Sequence, residues 1–464
     1  MTHTPHYAQP PLDFLPPNFD PKVLWAAKTF LPWWMRFRCS VKKLDVRGAE
    51  TLIELFRQFQ AGEVRFLIAF RHPSPDDAYC LMNLLWNELP AIARQQGQSL
   101  PGTPHVHFIY DRGIPLWAGD WLGGFYARLG GTSIQRGKVD RQGLKSARNL
   151  FANGQFPMAA APEGANNGHT EVVSPFEPGI AQFGFWCVDD LLKVDRSEPV
   201  VILPLGIQYF YRVAPWPALA ALLAELEADI GIAPQAAAAH SLPSEPTAIA
   251  QVLYPRLLNL GNHLLMLMES YYRDFFQMPL PANESGEADL PERLNRLLNA
   301  ALEVAESFFH IPSKGSVIDR CRKIEQAGWD WIYREELRPE KSRFSPTERG
   351  LADRIAEEAS LRMWHMRLVE SFVAVTGRYV QEKPTVERFA ETLLLLRDTI
   401  VRIKGKNPFP RPPLGDQVAY LSIGEPLNVS DRWPAYKANR RQAVASLTND
   451  LQAAVQDLIA AEWP

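Results

Sequence analysis

Apolar positions change their period along the chain. Ala49 to Gln60 carries apolar residues at helical spacing, whereas VRFLIAF (64–70) is an unbroken apolar run of strand length. RHPSPDD is a Pro-rich loop whose last aspartates open the helix predicted over Ala78 to Ala93. VHFIYD (106–111) reads as the next strand, Arg141 to Ala152 as a helix closed by Asn153-Gly154, FPMAAA (156–161) as a short strand and VVILPLGIQYFY (200–211) as a long one. Strands alternating with helices predict an α/β sheet covered by helices on both faces.

After Pro217 the pattern is helical through residue 405, in segments such as ALAALLAELEADI, LPERLNRLLNAALEVAESFF and VERFAETLLLLRDTIVRI. The Pro-rich KNPFPRPPLGD then leads into a strand-like QVAYLSIGEPLNV and a last amphipathic helix from Ala435 to Ala461. No internal repeat is visible. Residues 1–20 are Pro-rich and expected to be extended or disordered. The next segment, PKVLWAAKTFLPWWMRFRCSVKK, interleaves Trp25, Phe30, Trp33, Trp34 and Phe37 with Lys22, Lys28, Arg36, Arg38, Lys42 and Lys43. Such a helix suits a membrane headgroup layer, or packs against its own domain; Pro32 interrupts it, and periodicity does not choose.

The chain has 464 residues and a formal charge of -3, so no basic excess exists to hold a nucleic acid. Cys39, Cys80, Cys187 and Cys321 form no C-x-x-C pair, which predicts reduced thiols in an intracellular compartment. No basic-then-apolar secretory signal opens the chain, and no apolar run approaches the roughly 20 residues of a membrane span.

The candidate chemistry begins with His72 and Asp77 in FRHPSPDDAYCL. A loop histidine and an aspartate at the following helix start can meet. The carboxylate then holds one imidazole nitrogen as N–H and leaves the other free to take a proton. The bland alternative is a loop histidine that caps something. Further along come GGTSIQRGKVDR (130–141) with Arg136, Lys138 and Arg141, then APEGANNG (161–168) with Glu163-Gly164, then the Pro-bounded PVVILPLGI (199–207).

This ordered set resembles the four sequence blocks of the glycerophospholipid acyltransferases, most closely the 1-acyl-sn-glycerol-3-phosphate acyltransferases. His72 to Asp77 matches the H-x4-D block, and Gly130, Ile134 and Arg136 match G-x-x-F-I-x-R. Pro162, Glu163 and Gly164 match F-P-E-G-T-R, and Pro199 to Pro204 matches V-P-I-V-P. FEPGIAQ (176–182) is similar to the family's F-K-x-G segment. The blocks span about residues 50–212, and YLSIGEPLNV (420–429) with the final helix looks like the closing strand and helix of the same domain. The resemblance thus implies an acyltransferase-type mixed sheet flanked by helices, with a large mostly helical insertion. The expected organisation is an N-terminal extension with a membrane-facing segment (1–45), a discontinuous acyltransferase domain (46–215 plus 416–464) and a helical insertion (216–415).

By the same resemblance, a fatty acyl group moves from a thioester, on coenzyme A or acyl carrier protein, to the hydroxyl of a lysophospholipid such as 1-acyl-sn-glycerol-3-phosphate. His72 would be the general base and Asp77 its orienting partner, with Arg136, Lys138, Arg141, Glu163 and Gly164 at the acceptor. No cofactor or metal is implied, and the expected location is cytoplasmic, peripheral on the inner face of a membrane. The sequence departs from the family at several places. Arg71 stands where Asn is usual and Ser133 where Phe is usual. Ala161, Ala165 and Asn166 replace Phe, Thr and Arg. Asn166 lacks the charge that would grip a phosphate, for which Arg71, Lys138 or Arg141 could substitute. A different lysolipid or a neutral alcohol is therefore an alternative acceptor, and a non-catalytic lipid-binding protein on this fold is a second alternative.

Other histidines read differently. His105 and His107 flank Val106 without a third metal ligand at recognisable spacing, and read as ordinary strand residues. His169 lies close enough to the third block to be a candidate for the acceptor site, and His365 reads as part of a helix face.

Overall fold

The computed structural model describes residues 7–100, 102–114, 119, 121–135, 140–233, 245–281, 290–340, 343–372 and 377–461. The chain is mixed α/β: among the described residues an 8-stranded, mostly parallel sheet stands with numerous α-helices. It divides into two compact units. One holds the sheet and runs from Phe14 to Arg212 and from Asp416 onward; the other is centred on Val213–Gly415 and includes the chain up to Asp13.

The strands are β1 (Val41–Arg47), β2 (Arg65–Phe70), β3 (His107–Asp111), β4 (Thr132–Ile134), β5 (Met158–Ala160), β6 (Val200–Tyr211), β7 (Gln417–Ile423) and β8 (Leu427–Asn428). Their order is β1-β7-β6-β2-β5-β3-β4, with β8 also paired to β6. The run from β6 to β4 is parallel throughout, while β7 and β8 lie antiparallel to β6. The strand that follows the long helical stretch therefore lies inside the same sheet as the strands before it.

The central strands are buried on both faces, which is why their sequences are apolar nearly throughout, Arg65 and Gln208 excepted. Phe66 and Ile68 point to one face, where they join Leu52, Phe56, Leu81, Leu84 and Leu205 in one core. Leu67 and Ala69 point to the other, where they join Phe151, Phe185, Ile202, Leu447 and Val455. One layer comprises the helices Pro21–Arg38, Ala49–Ala61, Asp77–Asn83 and Leu89–Gln95; the other comprises Arg141–Asn153, Gly179–Leu192 and Arg440–Ala460.

Several elements differ from the sequence reading. Val41–Arg47, read as the tail of the amphipathic segment, is an edge strand paired in parallel with β7. Gly48 then turns the chain at φ +76, where a Cβ would lie 2.4 Å from the carbonyl oxygen of Ile423, so glycine is required by both conformation and space. The helix after His72 widens to a π turn over Leu84–Glu88, just before Pro90, whose ring cannot follow a regular turn. The last helix is two, Trp433–Ala438 and Arg440–Ala460, because extended Asn439 caps the second by accepting from Gln442 N at 3.1 Å. Of the N-terminal residues expected to be extended or disordered, those described are non-helical and tied down: Gln9 bridges to Tyr333, and Ala8 N donates to Asp353 Oδ1 at 2.9 Å within the helical unit.

The helix Pro21–Arg38 packs one face on its own unit and leaves the other exposed. Leu24, Leu31 and Met35 are buried in the sheet unit's core. Trp25, Phe30, Trp33 and Phe37 stand on the opposite, exposed face, Trp25 with 70% of its surface open. No helix among the described residues is long and apolar enough to cross a membrane.

Candidate active site

Parallel strands deliver their carboxyl ends to one edge of the sheet, where open α/β sheets place their ligand sites. At that edge β2 ends at Phe70 and is followed by Arg71 and His72; β5 ends at Ala160 and is followed by the turn that carries Glu163. His72 Nδ1 lies 2.9 Å from Asp77 Oδ2. The Asp77 side chain is wholly enclosed, while 29% of the His72 side chain is open to solvent. A carboxylate only accepts, so Nδ1 carries the proton and Nε2 is the free acceptor. Asp77 is the first residue of its helix, and its Oδ2 also accepts from Ser74 N at 2.8 Å. Its Oδ1 accepts from the Tyr209 hydroxyl.

Asp76, next to Asp77, is different. Burial, and then the Asp77 charge, push its carboxyl up to about 6. Burial, and then Asp76, push the Cys39 thiol up to about 12. Burial likewise raises Cys80 and Tyr209 well above their usual values. All four cysteines are free and buried.

Glu163 faces inward. Its Oε1 accepts the His72 backbone N–H at 2.9 Å, and its Oε2 accepts from Ser174 N and Asn167 Nδ2, each at 2.9 Å. In this arrangement its carboxylate fixes the histidine loop to the turn after β5. Gly164 sits in that turn at φ +70, where a Cβ would come 2.4 Å from Glu177 Oε1. Asn166 is exposed, and its side chain accepts from Gly168 N at 2.8 Å.

The idea that Arg71 replaces a missing phosphate ligand is corrected by its surroundings. Arg71 is fully buried. Its guanidinium donates to the carbonyls of His169 (2.5 Å) and Ile207 (3.3 Å), and also to those of Thr170 and Val172. It clasps the segment after the turn onto β6 and has no face left for an outside anion. His169 belongs to that clasped segment, buried, with Nδ1 at 2.6 Å from Asn167 O.

Arg136 and Lys138 lie outside the described residues. Arg141 is exposed on the first turn of the helix Arg141–Asn153, a separate element capped by Asp140, which accepts from Gly143 N at 3.1 Å. Asp140 also pairs with the buried Arg112 at the end of β3. The structure thus joins His72, Asp77 and Glu163 by hydrogen bonds and leaves Arg141 apart from that group.

His105 and His107 are structural. His105 Nε2 donates to Leu129 O at 2.9 Å and its Nδ1 accepts from Trp86 Nε1; burial lowers its pKa to about 4. His107 Nδ1 donates to Gly130 O at 2.9 Å. In the helical unit His365 meets the Tyr272 hydroxyl at 2.7 Å, and burial takes its pKa to about 4 as well.

Sequence reasoning missed Tyr209, Ser174 and Asn167 at this site. Tyr209 sits in an apolar strand and looks like any core aromatic, and the other two look like loop residues. Chemically the group offers an oriented, partly solvent-accessible imidazole able to remove a proton from a hydroxyl, and among the described residues no serine or cysteine side chain is hydrogen-bonded to it. Compared with known proteins, the chain matches no family model and no curated protein.

Proposed function

We propose that this protein is an acyltransferase of the glycerophospholipid type, transferring a fatty acyl group from an acyl thioester, on coenzyme A or acyl carrier protein, to the hydroxyl of 1-acyl-sn-glycerol-3-phosphate. The observation that carries this reading is the 2.9 Å contact between a partly exposed His72 imidazole and an enclosed Asp77 at the carboxyl edge of the sheet. The acceptor oxygen attacks the thioester carbonyl carbon while His72 Nε2 takes its proton. The tetrahedral intermediate collapses, the C–S bond breaks, and the thiolate leaves and is protonated by the imidazolium. Asp77 steadies that imidazolium, and the free base is restored. Glu163 holds the backbone that carries the imidazole.

Substrates of this kind reside in a bilayer, and the exposed Trp25, Phe30, Trp33 and Phe37 face fits attachment to a membrane surface. The reading places the protein on the inner, cytoplasmic face. One observation favours a second acceptor class: Arg71 is sealed inside and Asn166 is uncharged, which suits a neutral alcohol or a different lysolipid.

The test is purified protein with isotopically labelled acyl donor and a panel of acceptors, the products read by mass. Transfer to lysophosphatidate above monoacylglycerol supports the phosphate acceptor, and the reverse order supports the neutral one. Absence of transfer to any acceptor overturns the enzyme reading.

A further inference from the structure

β6 is longer than its neighbour β2. Their pairing ends at Phe70 opposite Leu205, and β6 continues to Tyr211 with β7 on one side. The overhang forms a wall behind the His72 loop. Leu205 O accepts Arg71 N at 2.9 Å, and Ile207 O accepts the Arg71 guanidinium at 3.3 Å. Leu205, Ile207 and Tyr209 share one face by strand alternation, and all three are in the same core. At that depth phenylalanine would pack as well as tyrosine, and a buried hydroxyl is costly unless bonded. The Tyr209 hydroxyl donates to Asp77 Oδ1 and reaches Cys80 Sγ at 3.6 Å.

Resting on the proposed acyl transfer, we propose that Tyr209 is a positioning residue for the His72–Asp77 pair. Asp77 is held through both oxygens: Oδ2 by His72 Nδ1 and Ser74 N, Oδ1 by Tyr209. Two-sided donation stops the carboxylate rotating about its Cβ–Cγ bond and fixes the plane in which it meets the imidazole. The phenol also draws charge toward Oδ1, which moderates the pull of Asp77 on the imidazolium. Other titratable or charged groups around the pair are Asp76 and Cys80 on its own helix and loop, Cys39 and Lys42 before and in β1, and Arg71 and Glu163 beside the loop.

Tyr209→Phe removes the hydroxyl and keeps the ring. Two readouts follow, one with substrate and one without. In the acyl-transfer assay kcat falls about two- to tenfold, as expected for one lost hydrogen bond, while KM for the donor is unchanged. In the substrate-free protein the His72 imidazole, followed by NMR titration, shifts to higher pH, because Asp77 turns its full charge toward it. A fluorinated tyrosine at this position, a stronger donor, shifts the titration the other way and guards against a folding defect in the phenylalanine variant. An unmoved His72 titration in both variants overturns the proposal and leaves Tyr209 as packing. The titration needs no turnover, so a wild-type protein inactive on every acceptor would refute the acyl-transfer reading without deciding this one.

Discussion

Arg71 Nε lies 3.9 Å from Glu163 Oε1, with both side chains wholly enclosed, and the same Oε1 accepts the His72 backbone N–H. The pair ties three things into one block: the loop after β2, the turn after β5 and the overhang of β6. A buried ion pair adds little net stability, but removing one partner strands the other charge and costs about 3–5 kcal/mol. Glu163→Gln presents an amide N–H₂ where a backbone N–H needs an acceptor, and it leaves Arg71 uncompensated. The midpoint of urea unfolding should therefore fall in Glu163→Gln, and also in Arg71→Met, which abandons four carbonyls.

His72→Ala should reduce acyl transfer by about 10²–10⁴ while the circular dichroism spectrum stays unchanged, since the imidazole is partly exposed and its loss opens no core cavity. Asp77→Asn should reduce it comparably by presenting an N–H or a weaker acceptor to the imidazole. Steady-state kinetics with the labelled donor check both. More than a tenth of wild-type turnover in His72→Ala would exclude the base role.

Asp76 predicts a pH dependence of stability with a definite sign. Its folded-state carboxyl sits at about 6, above the ordinary 3.8, so folding disfavours its charged form. Its contribution to stability is therefore fully present at low pH and is lost as pH rises from about 4 through 6. Asp76→Asn should be more stable than wild type at pH 7, by an amount of order 1–3 kcal/mol, and no more stable at pH 4. Chemical denaturation at the two pH values measures it. Buried neutral His105, at about 4, acts in the opposite direction, losing stability as pH falls below 6.5. It is common to both proteins, so it cancels in the comparison.

The exposed face of Pro21–Arg38 should bind anionic vesicles, and less so as salt screens Arg36, Arg38 and Lys22. Trp25→Ala together with Trp33→Ala should weaken sedimentation with vesicles at every salt concentration. Trp34→Ala should instead cost stability, because Trp34 is half-buried with its ring 6.1 Å from that of Tyr79. Equal binding by the wild type and the Trp25/Trp33 double variant would exclude the face as a membrane contact.

The centre of the sheet was legible in the chain and its edges were not, for one physical reason. VRFLIAF and VVILPLGIQYFY are buried on both faces, so apart from Arg65 and Gln208 their side chains are apolar or aromatic and a strand is the economical reading. β1, with the sequence VKKLDVR, and β4, only Thr132–Ile134, close the two ends of the sheet, where one side meets solvent or the strand is too short for a period. The His72–Asp77 contact was legible too, because five residues across a loop and one helix start leave the two side chains little choice. What holds that contact was not. Glu163 reaches His72 from 91 positions away, Tyr209 reaches Asp77 from 132, and Arg71 reaches Val172 from 101. Local pattern records whether a residue is apolar, not which distant backbone it will meet, and the same inward-facing strand position suits a phenylalanine or a tyrosine. Only the register of β6 against β2, fixed when the sheet assembles, brings the Tyr209 hydroxyl to Asp77 and closes Arg71 over its carbonyls.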